Sequence, residues 1–488
     1  MKHFFTLLCF SFFSVLLPAQ NVNPGLQINR ANKWYFGQTS AGPTNDAPSL
    51  HFDSGLPVVV NIGPGTGFST ACDSMGQLQI YGGGFSLYNK SHTVVSNASG
   101  IIGDTVTTIQ SSLAVPKPKD ANLVYYFTVP LSLKYNLVDM SLDSGRGSVI
   151  KKNIQVYPYP PGTGAKIAAV HHCNGSDVWV VVHELNTDKF LAYLLSDTGL
   201  NLTPVVTPIG PMDNEQGFAS QGGLMKFSSN GKKLAITTSG FAIPPYLFDF
   251  DNSTGIISNP IPLQKDTGEQ GISFSPDNSL LYIATANGRL LQYNLNTPNI
   301  PASRKLISET PTLAFSTIQM GRDGKIYLGQ AGSPAKHYLG VINNPNVLDT
   351  FCHFSSTGIY LNGSYGARGL MNTVESYFYT GSSAFPCYGD TIVSSATMYN
   401  NQFGVRAFPN PFDDYTLIEV NDDLLYGKKV EYYLYDALGK KCNASFSELG
   451  TANYPTRAML RRGDLMPGLY FLVIKTKNQT LSLKLSIL

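Results

Sequence analysis

Charge is scarce in this chain. Asp, Glu, Lys and Arg make up 14% of its 488 residues, against about 25% in an average soluble domain. Long surface helices are laced with such residues, so their scarcity argues against a helical bundle. Neither sign prevails: the net charge is +2 and no basic stripe occurs, which leaves no electrostatic footprint for nucleic acid or an anionic membrane surface. There are six cysteines and no CxxC pair, so zinc sites of that kind are not expected. No GxSxG elbow and no HExxH helix is present, and hydrolase chemistry therefore has no motif. Gly63 to Gly67 and Pro161 to Gly164 are glycine-rich, but no Lys-Ser/Thr follows them, so they are not phosphate cradles. No metal and no cofactor is expected.

What is abundant is turn and strand material: 46 Gly, 30 Pro, 27 Tyr and 27 Phe. That composition predicts an all-β fold of short strands. The length is roughly three times a domain of about 150 residues, so several domains or a repeat array are expected.

Long apolar runs are confined to the N-terminus. Residues 1–20 combine Lys2, an apolar stretch from Phe4 to Leu17, and Pro18-Ala19-Gln20, the pattern of a signal peptide. At 14 residues this stretch falls short of the roughly 20 that span a bilayer, so no transmembrane segment is expected and the mature chain starts near Gln20 or Asn21. Cys9 leaves with the leader. Cys352 and Cys387 are the first pair to consider for a disulfide because the intervening loop is short, with five inert thiols as the alternative.

A turn followed by an apolar strand recurs: DSMGQLQIYGGG from Asp73, DANLVYYFTVP from Asp120, CNGSDVWVVVHE from Cys173, SSNGKKLAITTS from Ser228, SPDNSLLYIATA from Ser275 and GRDGKIYLGQAG from Gly321. Asn174, Asn230, Asp277 and Asp323 are spaced by 56, 47 and 46 residues, and a second turn marker at Asp143, Asp197 and Asp251 recurs every 54. Within one unit, three strands follow one another through short turns, an antiparallel meander. Periods of this length with about four strands each are the signature of propeller blades. Residues 21–380 accommodate seven, with the stretch around Trp34 expected to complete the last blade and close the ring.

Twenty of the 66 charged residues fall in the last 88 positions. A Ser-, Gly- and Asn-rich stretch, 381–404, precedes this change and reads as a linker or a cap on the preceding domain. From about Val405 a second domain begins. Near the C-terminus Leu481, Leu483, Leu485 and Ile487 alternate with polar residues, as in a small immunoglobulin-like β-sandwich.

The segments WYFGQTSAG, AVHHCNGSDVWVVVHE, FSPDNSLLYIAT and YGARGLMNTVESYF resemble exported propeller proteins of the Bacteroidetes. PNPF (Pro409 to Phe412), LYDALGKK, RRGDLMPGLYFLVIKT and LSLKLSIL resemble the type A C-terminal sorting domain of the type IX secretion system. The resemblance implies that residues 405–488 are an address read by that machinery, with Pro409, Asn410, Pro411, Asp436, Gly439, Gly463, Gly468, Tyr470 and Lys484 as its motif positions. It also implies delivery through the periplasm to the cell surface or the medium.

His171, His172, His183 and Glu184 are the densest set of acid–base or metal-ligating groups, and strand alternation could bring two or three of them together. The competing reading is structural: His171, His172, Asp177 and Trp179 flank one turn and fix its geometry through hydrogen bonds. DFDNSTG, from Asp249, lacks the ligand series of a calcium loop and reads as a strand end with an Asx turn. Arg462-Gly463-Asp464 reads as a turn of the sorting motif rather than an adhesion signal. The resulting expectation is an exported propeller that binds a glycan, a peptide or a surface protein. The alternative is a hydrolase or lyase whose acid–base groups gather at the central channel.

Overall fold

Six Asx turns set the frame of the first part of the chain. The side chains of Asp73, Asp120, Asn174, Asn230, Asp277 and Asp323 each accept a backbone N–H two to four residues further on, at 2.8–3.3 Å. Each turn thereby delivers the chain from the first strand of a sheet into the second. The computed structural model describes residues 27–36, 48–61, 69–103, 110–211, 223–238, 243–331, 337–364, 369–381, 385–387, 404–408, 410, 412–421, 430–436, 439–448, 456–475 and 480–487. The leader, Cys9, Pro409, Pro411 and most of the stretch read as a linker lie outside them. The chain divides into two compact units between Gly389 and Asp390.

The described residues of the first unit form seven antiparallel sheets, each a meander of consecutive strands. The first is Lys33–Tyr35, Pro48–His51 and Val58–Asn61; the second is Ser69–Cys72, Leu78–Gly83 and Ser86–Asn89. The third is Ser112–Pro116, Leu123–Thr128, Leu133–Asp139 and Ser148–Tyr157. The fourth is Thr163–His171, Val178–Glu184 and Lys189–Ser196, whose last strand carries both Gly199–Leu200 and Val205–Pro208. The fifth is Met225–Phe227, Lys233–Ile236, Tyr246–Asp251 and Ile256–Pro262. The sixth is Glu269–Phe274, Leu280–Thr285, Arg289–Asn294 and Lys305–Glu309, and the seventh is Ala314–Met320, Ile326–Ala331, Tyr338–Ile342 and Phe354–Tyr360. The first strand of each sheet packs on the first strand of the next. This is a β-propeller, in which the meanders stand around a common axis and bury their faces against one another.

Closure differs from the sequence expectation. The seventh sheet supplies its own outer strand, Phe354–Tyr360, so no place is open for an N-terminal strand, and Lys33–Tyr35 pairs with Pro48–His51 in a separate sheet. The first and seventh sheets meet through side chains. Tyr327, fully buried, stands edge-on to Trp34 at 5.6 Å and to Phe52 at 6.1 Å, and Arg322 Nη1 donates to Asn32 Oδ1 at 2.6 Å.

The disulfide is also not the expected one. Cys387 is bonded to Cys173, 214 residues away, with a Cα–Cα distance of 4.6 Å, while Cys352 is a buried free thiol. Sequence distance misleads here because Cys352 is held beside Tyr282 in the 3-10 turn Asp349–Cys352 between the last two strands of the seventh sheet, whereas the chain after residue 369 runs back across the ring. Phe385 then packs on the fourth and fifth sheets, and Pro386 O accepts Asn252 Nδ2 at 2.7 Å. Gly231, at φ +69°, lies directly under the Phe385 ring, where a Cβ would stand 2.9 Å from Cζ. Residues 385–387 therefore cap the first unit.

The second unit is a sandwich of two four-stranded sheets. One runs Gly404–Phe408, Tyr415–Asn421, Thr456–Arg461, Ser445–Glu448; the other runs Lys441–Cys442, Glu431–Asp436, Gly468–Lys475, Thr480–Ile487. Ile418, Ala458 and Leu460 of the first face Leu434, Leu472, Ile474 and Leu485 of the second in one core. The predicted alternation holds where it is described: Leu483, Leu485 and Ile487 are buried, Ser482 is exposed, and Lys484 and Ser486 are half-buried.

Opening the Cys173–Cys387 link by Cys387→Ser frees a large loop in the unfolded chain. A loss of about 3–5 kcal/mol is expected from chain entropy, read as a Tm several degrees lower in non-reducing buffer. Added reductant should bring the wild type down to the variant and leave the variant unmoved. Equal Tm values for the two proteins under oxidising conditions would refute the link.

Candidate functional site

The four sequence candidates lie on the fourth sheet but not in one place. His171 pairs with Val178 across the first two strands, whereas Glu184 pairs with Thr163 and His183 with Phe190. Five residues of extended strand, roughly 17 Å, separate the two ends. His171 is buried against Tyr377 and Phe385; its backbone N–H donates to Ser376 Oγ at 2.9 Å and its Nδ1 lies 2.7 Å from the same oxygen. Burial lowers its pKa to about 4. His172 accepts the Asn174 N–H at Nδ1 (2.9 Å) and turns Nε2 to Ser253 O (3.1 Å). Asp177 accepts from Asn174 Nδ2, and Trp179 Nε1 donates to Asn252 O at 2.9 Å. These four residues fasten a turn and a blade junction, the structural alternative weighed from the sequence.

At the other end His183 is buried edge-on to Phe190 at 4.6 Å, and desolvation lowers its pKa to about 3. Its Nε2 has no partner among the described residues. Glu184 accepts the Tyr157 hydroxyl and pairs with Lys189 at 3.2 Å. Desolvation works to raise its pKa, but these partners hold it below the usual carboxylate range. Among the described residues no three His, Cys, Asp or Glu side chains form a group able to hold a metal. The Asp251 carboxylate accepts from the Ser253 N–H and hydroxyl, closing the Asx turn expected there, and Asp249 takes Lys233 Nζ at 2.5 Å.

The centre of the ring holds a segment for which sequence reasoning had no signal. Residues 369–378 run through the axis and bond the innermost strands. Leu370 N–H donates to Thr317 Oγ1 (2.6 Å), and Asn372 Nδ2 donates to Ser112 O and Ile167 O (3.0 Å each). Ser69 Oγ donates to Asn372 O (3.2 Å). Parallel bridges join Asn372 to Ser69 and Val374 to Ala169. Glu375 forms a buried ion pair with Lys226 of the fifth sheet, whose ammonium also donates to Gln319 of the seventh. Both charged side chains are only 5% exposed. What remains is a cavity of about 10 Å³ beside Gln110, Lys226, Gln319, Met371 and Asn372, space for about one water. Lys226 stands out in the buried strand MKF, but nothing in the spacing points from it to Glu375, 149 residues away.

In the second unit the motif residues shape the sandwich edge. Asn410 Nδ2 donates to Lys484 O (2.9 Å) and Oδ1 accepts the Ser486 N–H (2.9 Å), clamping the last strand. Asp436 accepts the N–H of Gly439 and, at its side chain, that of Lys440, in a turn where Gly439 adopts φ +81°. Tyr470 is buried and its hydroxyl donates to Met466 O at 2.7 Å. Arg462 pairs with Asp413 and donates to Leu465 O, so Arg462-Gly463-Asp464 belongs to a structural turn, Gly463 at φ +52°. Gly468 opens the strand that pairs with Thr480–Ile487.

Residues 406–488 match the family described as secretion system C-terminal sorting domain. The second unit is thus a type IX sorting domain, which marks the chain for export to the surface or the medium. No curated protein matches the chain. Among solved structures, the chain is similar to the Dos1 propeller at 10% identity, covering 67% of this chain and 81% of that one with a TM-score of 0.44. It is similar to the Pseudomonas aeruginosa periplasmic gluconolactonase PpgL at 13% identity, 54% and 76% coverage and a TM-score of 0.36. The Kuenenia stuttgartiensis hydrazine synthase follows at 11% identity, 64% and 82% coverage and a TM-score of 0.35.

Removing one partner of a buried ion pair strands the other. Lys226→Met is expected to cost about 3–5 kcal/mol, and adding Glu375→Leu should restore most of the loss in urea unfolding; a double variant no more stable than the single would contradict the pairing. A second expectation concerns pH. Unfolded imidazoles take up protons near 6.5, whereas His171 and His183 in the folded chain do so only near 4 and 3. Their contribution is fully present above pH 6.5 and is lost as pH falls toward the folded values, by ~1.4 kcal/mol per pH unit for each. Urea titrations at about pH 7.5 and about pH 5 should show this slope, reduced in His183→Phe; an unreduced slope would remove His183 from the account.

Proposed function

We propose that the first unit is a binding module that the type IX machinery places on the cell surface or in the medium. The observation that carries this reading is the occupied axis: among the described residues, 369–378 bond the inner strands where the alternative, a hydrolase or lyase, would assemble its site, and the cavity beside Lys226 holds about one water. His171 and His172 are engaged in packing and hydrogen bonds, five to seven strand positions away from His183 and Glu184. A rigid ring leaves its loops and outer strands for recognition of a glycan, a peptide or a surface protein. In this reading the leader takes the chain into the periplasm and the sorting domain takes it across the outer membrane, the chain beyond Cys387 joining cap and address. The partner of the second unit is the translocon; no nucleic acid takes part.

Deletion of residues 405–488 is the test of the route. The truncated product is expected in the periplasmic fraction, and its normal delivery to the surface would refute the address. For the module itself, the full mature chain is expected to adhere to surface glycan or surface-protein preparations equally with and without His183→Ala. Turnover of a surface polymer that disappears in His183→Ala, with the fold retained, would restore the enzymatic alternative.

A further inference from the structure

A second cavity, about 300 Å³, opens where the connection from the fifth to the sixth sheet passes the outer strands of the sixth. It is lined by Gln264, Arg289, Arg304 and Leu306. Asp266, whose side chain is 4% exposed, lies behind it and accepts from both arginines: Arg289 Nη1 at 3.0 Å, and Arg304 Nη2. One buried carboxylate thus fixes two guanidinium planes. Arg289 turns Nε and Nη2 to Glu309 at 2.8 Å, but the Arg304 side chain makes no other hydrogen bond among the described residues, leaving Nη1 and the buried Nε without acceptors. Leu306 is 49% exposed at the same cavity.

We propose that this cavity binds the carboxylate of a small organic acid, Arg304 offering Nη1, Arg289 standing beside it, and Leu306 covering the apolar part of the ligand. The chemistry favours a carboxylate. A guanidinium held in plane matches a planar acceptor pair. Asp266 and Glu309 already balance the two arginines, so a dianionic phosphate brings twice the uncompensated charge that a carboxylate does. A few fixed polar groups beside an apolar surface, in a volume at the lower end of small-molecule sites, is the usual form of such a pocket. This deepens the binding-module reading and rests on it; the ligand is a free aliphatic acid or an acidic sugar unit of a surface glycan, which share the carboxylate.

The test is calorimetric titration of the full mature chain with glucuronate, propionate, glucose and inorganic phosphate at matched ionic strength. Both acids are expected to bind and glucose not to; tighter binding of glucuronate identifies the sugar acid, equal binding the free acid. Arg304→Gln should weaken binding about tenfold to a hundredfold. Since Arg304 also holds Asp266, Leu306→Glu is the companion variant: it sets a like charge at the mouth without touching that bond, and should weaken binding as much. Failure of both acids to bind, tighter binding of phosphate, or unchanged affinity in Leu306→Glu would overturn the site. Continued adherence of either variant to surface preparations would locate that failure here and leave the binding-module reading standing.

Discussion

The first unit depends on a charge buried away from bulk water. Lys226 sits in the innermost strand of the fifth sheet, surrounded by protein, and an ammonium in that position is tenable only because Glu375 and Gln319 meet it there. Glu375 arrives from beyond the seventh sheet, on a segment that also bonds the second, third, fourth and seventh sheets at Ser69, Ser112, Ile167 and Thr317. A ring built of sequential meanders has few contacts between distant parts of the chain. This segment supplies them, and it can dock only once the strands it bonds are in place. The ion pair gives the docking a single register, since a slip of one residue would turn Glu375 away and bury Lys226 unpaired.

That constraint also accounts for the cap. Having crossed the axis, the chain leaves beside His171, and Ser376, Tyr377 and Phe385 enclose that imidazole. Cys387 then meets Cys173, two residues past His171. Ion pair, aromatic cover and disulfide lie in order along about a dozen residues, and each restricts where the next can fall. The disulfide fits an exported chain, because an oxidising compartment is where such a link persists.

The local pattern was legible in the sequence because it is set by near neighbours. Asn230, Asp277 and Asp323 need only the backbone two residues on to make their turns, so their spacing shows directly. Alternation at Leu483, Leu485 and Ile487 is equally local. Closure and cysteine pairing were not legible. Nothing near Trp34 announces that Tyr327 will pack against it, and loop length favoured Cys352 for Cys387 where the path of residues 369–378 decides otherwise. The separation of the candidates was not legible for the same reason: His171 and His183 look close along the sequence, yet the register sets them at opposite ends of a sheet. Arg289, Arg304 and Asp266 gave no signal, because each is ordinary in its own strand or loop and only the packing of the sixth sheet gathers them.

Propellers commonly gather function at the axis, where every blade contributes an inner strand. Here the inner strands spend their hydrogen bonds on residues 369–378. Ser112 O, Ile167 O and Thr317 Oγ1 accept hydrogen bonds from the chain itself, and the Lys226 ammonium is paired with Glu375. A ligand at the axis would have to displace all of these at once, and the buried ion pair with them. Recognition at the periphery meets no such barrier. At the sixth sheet Arg304 keeps an unused donor edge beside an exposed leucine, and the acid that fixes it lies behind the cavity rather than across it. On the proposed binding reading, the segment at the axis ties the inner strands together, and that constraint is what lets a peripheral site hold its geometry without a ligand in place.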